Sequence, residues 1–332
     1  MKIRLKVVVV FLLLSLTMVV WANGTKESGT AKVKGATEIT IWDFKYGDVE
    51  GVQPAMIKID NLIMQNNPGI KINHVGQAND NYYQLVRAAV QAGSGPDIIM
   101  FHGGVQAYEF DDYTIGLDKY IEPWRAEISE FSWEYCSANG KKSTPVHMVP
   151  LTTQGFGIYY NKALFKKAGL DPEKAPTDVE SFMAACEKLK KAGIVPITAG
   201  LQGDPFTVDF LFRCLIANIY GPDVIGLATG EQNFQGNAAF KRATEIMQEI
   251  FTKGYMDPAG TSTPYFMDAA NNFAAGKGAM FVGLLSDVCH WKVFNDALGV
   301  DGVGYFPTIN FPEAKYKDQQ VGQPAGIGYS VM

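Results

Sequence analysis

The chain has 332 residues, 47% of them hydrophobic and 19% charged, and a net charge of −5. That apolar share is enough to bury sizeable cores and excludes a disordered chain. The mild acidity, with no basic block able to follow a phosphate backbone, argues against a nucleic-acid partner.

At the start, Lys2, Arg4 and Lys6 precede an apolar run from Val7 to Val20, broken only by Ser15 and Thr17. Val20-Trp21-Ala22 then puts small or β-branched residues at the −3 and −1 positions of a cut after Ala22. A basic head, a short apolar middle and a small-residue exit predict a secretory signal peptide over residues 1–22. The run is shorter than the about 20 apolar residues of a membrane span, which weighs against the alternative of an uncleaved anchor. No cysteine lies near the cut, so no lipid-modified N-terminus is expected, and no later stretch is apolar and long enough to span a membrane. Cleavage would leave about 310 residues, too many for one ordinary core and suited to two domains of about 150 residues each.

Residues 23–37 are small and polar and predict a flexible leader. Folded structure is expected from Glu38, where EITIWDF alternates as a strand does. Residues 52–66 carry Ile57, Leu62 and Ile63 at helical spacing and end at Asn67-Pro68-Gly69. IKINHV reads as a second strand, YYQLVRAAVQAG as a helix stopped by Gly93, and PDIIMF as a buried strand. Strand, helix, strand, helix, strand predicts an α/β fold with a mainly parallel sheet. After Pro150 the same grammar resumes: strand GFGIYYN, then a short helix ALFKKAG. Thr177 and Glu180 predict a capping box for the next helix, which carries Phe182, Ala185, Cys186 and Leu189 on one side. IVPITAG reads as a strand, residues 205–220 and 237–253 as helices, and GAMFVGL and VGYFPTI as strands.

The motifs of catalysis are missing. The four histidines, His74, His102, His147 and His290, form no H-E-x-x-H, and the chain contains no G-x-S-x-G or G-x-x-x-x-G-K-[ST]. The glycine pairs at 155–157 and 326–328 lack the third glycine of a dinucleotide loop. A glycosidase pair drawn from 34 carboxylates would carry no information. Cys136, Cys186, Cys214 and Cys289 make neither a disulfide framework nor a C-x-x-C motif; export permits one disulfide, with the pairings open. No cofactor or metal is expected.

Four segments in order carry a resemblance over about Glu38 to Met332: YYQLVRAAVQAGSGPDIIMFHGG, VPLTTQGFGIYYNKALFKKAGL, PTDVESFMAACEKLKKAGIVPITAG and FAAGKGAMFVG. The chain resembles the family 1 extracellular solute-binding proteins, the group that includes the maltose-binding protein. It departs at Asp178, where the family's usual residue after the Thr is Trp. The resemblance implies a type II-like periplasmic-binding-protein fold, two α/β lobes joined by crossing strands with ligand held between them. Lobe 1 would take residues 38–150 plus about 321–332, and lobe 2 residues 151–320. It implies ligand contacts at Trp42 and Asp43; at His102, Gly103 and Gly104; at Gln154; at Asp204 and Phe206; at Gly283, Ser286 and Asp287; and at Gly326 and Gly328. Carboxylates and amides would take sugar hydroxyls in pairs, and aromatic rings would cover the C–H faces. Competing readings are core packing for Trp42 and Phe206, a rim or packing role for His102, helix caps for Asp43 and Asp204, and turn requirements for the glycines.

Many relatives place a Trp shortly after the Ala-Met strand, where this chain has Val282-Gly283-Leu284-Leu285-Ser286-Asp287. A monosaccharide, disaccharide or polyol is therefore expected rather than a large oligosaccharide. The implied function is a monomeric, non-enzymatic binding component of an ABC importer, exported to the periplasm or cell exterior, that captures a small carbohydrate and delivers it to a membrane permease. The alternatives are a non-sugar solute such as a phosphorylated polyol or polyamine, a secreted hydrolase, or a sensory receptor. The run Gly326 to Met332 reads as a strand entering a lobe, and family members continue beyond it; the expectation is an incomplete chain of weak stability.

Overall fold

A computed structural model describes residues 35–332 apart from 48–50, 79–80, 141–143, 204, 222–225, 228–229, 265–267, 285–287 and 319–321. The expected signal peptide and most of the expected leader lie outside the described residues. Among the described residues no helix is long and apolar enough to cross a membrane.

The first lobe opens with β1 (Thr37–Asp43), α1 (Val52–Asn66), β2 (Ile70–Gly76), α2 (Tyr82–Gln91) and β3 (Ile98–His102). β1 lies between β2 and β3, parallel to both, as helix crossovers between successive strands require. α1 forms where its apolar spacing predicts, yet it turns Asp60 inward and leaves Ile57, Leu62 and Ile63 at 44%, 58% and 38% exposure. Asp60 goes inside because a buried histidine meets it there, as described below. Short helical turns between Val105 and Gly140 carry the chain to β4 (Val149–Asn161).

The second lobe follows: α3 (Lys162–Lys167), α4 (Val179–Lys191), β5 (Val195–Thr198), α5 (Phe206–Tyr220), α6 (Ala238–Thr252), α7 (Ala270–Ala274), β6 (Gly278–Leu284), α8 (Val288–Leu298) and β7 (Val303–Phe306). α4 is capped one residue later than expected. The cap is Asp178, whose Oδ1 accepts from the Ser181 amide at 2.7 Å, while Ser181 Oγ accepts from the Asp178 amide at 3.2 Å. A short Asp-x-x-Ser box outcompetes Thr177 and Glu180 because the Asp carboxylate is also the better partner for the positive helix end. β7 stops at Phe306, short of the expected strand through Ile309, since Pro307 has no N–H to continue the ladder.

β8 (Gly322–Val331) returns to the first lobe. The strands form one path, β2-β1-β3-β8-β4-β6-β5, with β7 paired to β4. The described parallel pairs are β1 with β2, β1 with β3, and β5 with β6; every described antiparallel pair includes β4 or β8. β4 is the joint. Its first half, Val149 to Gly155, pairs with β8, and its second half, Phe156 to Asn161, pairs with β6 and β7.

Two apolar cores lie on either side of that joint. The first gathers Phe44, Tyr82, Phe101, Phe110, Trp133, Met148 and Ile327. The second gathers Phe156, Tyr159, Phe182, Leu211, Phe281 and Phe294, with Cys186 and Cys214 buried in it. Cys136, Cys186 and Cys214 are free thiols, and burial pushes Cys136 and Cys214 up to about 12, so they pack as small apolar residues. The Cys289 side chain lies outside the described atoms.

Candidate functional site

At the seam between the lobes β3, β8 and β4 lie side by side. Gly103 N–H donates to the Gly326 carbonyl at 3.2 Å, fastening the end of β3 to β8. Gln154 stands opposite Gln323 in the ladder, and its side chain lies over Gly326, where any Cβ would overlap Gln154 Cγ. Gly328 passes so close to β4 that a Cβ would overlap the Val149 carbonyl oxygen. Gly283 of β6 pairs with Gly157 just beyond the joint. On the second-lobe side the rings of Phe206, Phe210 and Phe156 run in sequence, with centroids 5.4 and 4.8 Å apart. On the first-lobe side Gly104, at φ 92°, packs beside the Tyr135 ring.

Asp43 is not at this surface. It is fully buried, and its carboxylate organises the first lobe from inside. Oδ1 accepts from the Lys45 and Tyr46 amides at 2.5 and 3.1 Å, fixing the turn after β1. Oδ2 accepts from the Tyr329 hydroxyl of β8 at 2.7 Å and from His74 Nε2 at 3.3 Å. His74 Nδ1 reaches Asp60 at 2.9 Å, and the Tyr46 ring stacks on the imidazole with centroids 4.2 Å apart. A ring with a carboxylate at each nitrogen has no acceptor role to fill, so the arrangement suits the imidazolium, which donates twice. Burial alone would lower the His74 pKa; the bonds to Asp43 and Asp60 outweigh it and raise the value. Burial alone would raise the Asp43 carboxyl; its bonds to His74, Tyr329 and the turn hold it below the usual range.

His102 also turns inward. Its Nδ1 accepts from the Tyr83 hydroxyl at 2.8 Å, its own N–H donates back to that oxygen at 2.9 Å, and its ring stacks on Phe44 at 4.5 Å. Burial pushes its pKa down to about 4, with Lys45 adding to the effect, so it stands neutral and suited to accepting. Trp42 is half-buried against the first core, and its carbonyl accepts from Tyr82 at 3.1 Å. The structure thus draws Gly103, Gly104, Gln154, Gly326 and Gly328 together at the seam, sets Phe206 on the second lobe, buries the Asp43 carboxylate in a first-lobe network, and leaves His102 half-buried and bonded to Tyr83. Asp204, Ser286 and Asp287 lie outside the described residues. Sequence reasoning passed over Tyr135, Asp209 and Arg213; the last two stand four apart on α5 as an ion pair, a spacing that could have marked them.

A cavity of about 570 Å³ also opens in the first lobe, lined by Asp118, Arg125, Glu130 and Trp133 among others. Arg125 stacks over Trp133 and pairs with Glu130 there. Every described residue that lines it belongs to the first lobe.

Two apolar cores joined by the two crossing strands β4 and β8 define a two-lobed α/β protein. A family model of the bacterial extracellular solute-binding proteins matches residues 49–332, and the chain belongs to that family. An sn-glycerol-3-phosphate-binding periplasmic protein of Shigella dysenteriae is 25% identical over 295 residues, covering 80% of this chain and 61% of its own length. This chain therefore spans under two thirds of that relative. Among solved structures, a chitin oligosaccharide binding protein matches with a TM-score of 0.75 at 22% identity, over 89% of this chain and 72% of its own. A sugar transporter protein of Arthrobacter chlorophenolicus A6 with bound laminaribiose matches at 0.67 and 20% identity, over 89% and 71%. These likenesses share the two-lobed fold.

Proposed function

We propose that the chain is the substrate-binding component of an ABC importer, holding a small carbohydrate between its lobes and presenting it to a membrane permease outside the cytoplasm. The observation that carries this reading is the joint: the two cores communicate through β4 and β8, and the seam groups sit where the lobes would close on a ligand. Closure about such strands is a hinge transition, and delivery requires the permease to prefer the closed, loaded form. Gln154 and Phe206 are the described side chains we assign to ligand, an amide for hydroxyls and a ring for a C–H face. The chitin oligosaccharide and laminaribiose named for the structural neighbours support a saccharide, and the basic, apolar and small-residue order of residues 1–22 supports export. A phosphorylated polyol is the second reading, favoured by the sn-glycerol-3-phosphate-binding relative.

A thermal-shift screen over mono- and disaccharides, polyols, polyamines and glycerol 3-phosphate tests the proposal. A true ligand at a hundred times its Kd should stabilise the protein by about 2.7 kcal/mol. The same compound should be recovered unchanged after prolonged incubation. Hydrolysis products that scale with protein concentration would replace this reading with an enzyme.

A further inference from the structure

The second-lobe wall of the seam carries a charge arrangement with a consequence for which ligands can enter. On α5, Arg213 Nε donates to Asp209 Oδ2 at 2.8 Å, and the two side chains are 43% and 41% exposed. Several other ion pairs at the same helical spacing, such as Lys241 with Glu245 and Lys292 with Asp296, place an ammonium 80% and 64% exposed in water. The α5 pair differs in three ways. Its cation is the planar, forked guanidinium. That guanidinium lies over the Phe156 ring, 5.6 Å from the centroid, on the strand that joins the lobes. On the first-lobe side burial raises the Tyr135 phenol, and the charge of Arg213 works against that rise. Tyr135 in turn packs beside Gly104 at the end of β3. A ligand between the lobes would therefore meet the half-buried ring of Phe206, backed by the buried rings of Phe210 and Phe156, with a guanidinium and a carboxylate on one wall and a phenol on the other.

We infer that Asp209 and Arg213 form a specificity-determining pair that admits a neutral polyhydroxylated ligand and turns away a phosphorylated one. A vicinal diol can accept from the guanidinium fork and donate to the carboxylate, so the pair serves both halves of each hydroxyl. A phosphomonoester brings about −1.5 to −2 charges, which would need the same guanidinium and would stand beside a carboxylate that already uses it. The attraction of Arg213 is cancelled before the anion arrives. The Phe156 face holds the fork in place, so Arg213 cannot swing away from Asp209 without leaving the ring. This inference rests on the proposed solute-binding function and deepens it: the glycerol-phosphate ligand named for one relative is the one this chain should discriminate against.

The test titrates inorganic phosphate and glycerol 3-phosphate into the full chain by calorimetry at low salt, for the wild type, Asp209→Asn and the double variant Asp209→Asn/Arg213→Gln. Asp209→Asn should bind glycerol 3-phosphate at least about tenfold more tightly than the wild type, since it frees a charge-assisted donor. The double variant should lose that gain, which separates a released Arg213 from a general change in net charge. A gain below tenfold, or a gain that survives loss of Arg213, overturns the inference. Both side chains are over a third exposed, so folding should be kept; Asp209→Ser is the second variant if Asp209→Asn fails to melt cooperatively. Failure of every saccharide in the thermal screen would sink the proposed carbohydrate function without altering this phosphate comparison, so the two can fail separately.

Discussion

Asp43→Ala should destabilise the ligand-free protein by about 3–5 kcal/mol, the scale for removing one member of a buried charged network. The loss has three parts: the turn after β1 loses the acceptor for two amides, Tyr329 on β8 loses its partner, and His74 is left with one carboxylate instead of two. Asp43→Asn keeps an oxygen for the turn and should cost less. Urea unfolding with an unchanged m-value measures both. A variant that unfolds like the wild type would place Asp43 on the ligand surface after all. The same cluster sets a pH window. The Asp43 value is depressed by folding, so its contribution is present above the ordinary carboxylate pKa of about 3.9 and fades as pH falls through the folded value. The His74 value is raised by folding, so its contribution is full below about 6.5 and fades as pH rises through the folded value. Tyr46, stacked on the imidazole, and Tyr329 are neutral at these pH values, as phenols ordinarily are, and burial shifts both further from ionisation. Stability should therefore peak between the two limits, and His74→Gln should remove the alkaline fall while leaving the acid one. An alkaline fall that persists in His74→Gln would mean that another group causes it.

Periodicity and turn residues carry information about neighbours in the chain, and the elements that depend on such neighbours were legible. α4 was readable from Phe182, Ala185, Cys186 and Leu189, all buried as their spacing predicts. The first half of β4 was not, because its partner β8 lies far along the chain and Leu151, Thr152 and Thr153 are exposed and show no alternation. Asp43 illustrates the same limit at the site. A carboxylate at the end of a strand is a sound ligand candidate until the register shows Ile41 opposite His74, bringing the imidazole beneath it. Nothing local announces that meeting, nor that Asp60 would occupy the inner face of a helix whose isoleucines are outside. Gly326 and Gly328 were legible as a pattern but not as a cause, since the need for them comes from the close approach of β4 beside β8.

Gly328→Ala should destabilise the protein by about 2–4 kcal/mol, more than a typical single substitution, because the added methyl meets an obstacle that cannot move aside. Gly328 pairs with Phe101 of β3 on one side and with Pro150 of β4 on the other, so β8 is held in place along both edges here. The methyl would overlap the Val149 carbonyl oxygen and press on Met148, forcing β8 away from β4 at the joint between the lobes. Gly326→Ala is the informative comparison. There the overlap is with Cγ and Cδ of Gln154, a flexible side chain, and a shift of its rotamer can relieve most of it. Gly326→Ala should therefore cost less, and Gln154→Ala in the same chain should recover part of the loss, a coupling that a double-mutant cycle reads directly. Gln154→Ala should give no recovery to Gly328→Ala. Equal costs for the two glycine variants, or rescue of both by Gln154→Ala, would mean that the close approach of β4 and β8 is not what demands glycine at the joint.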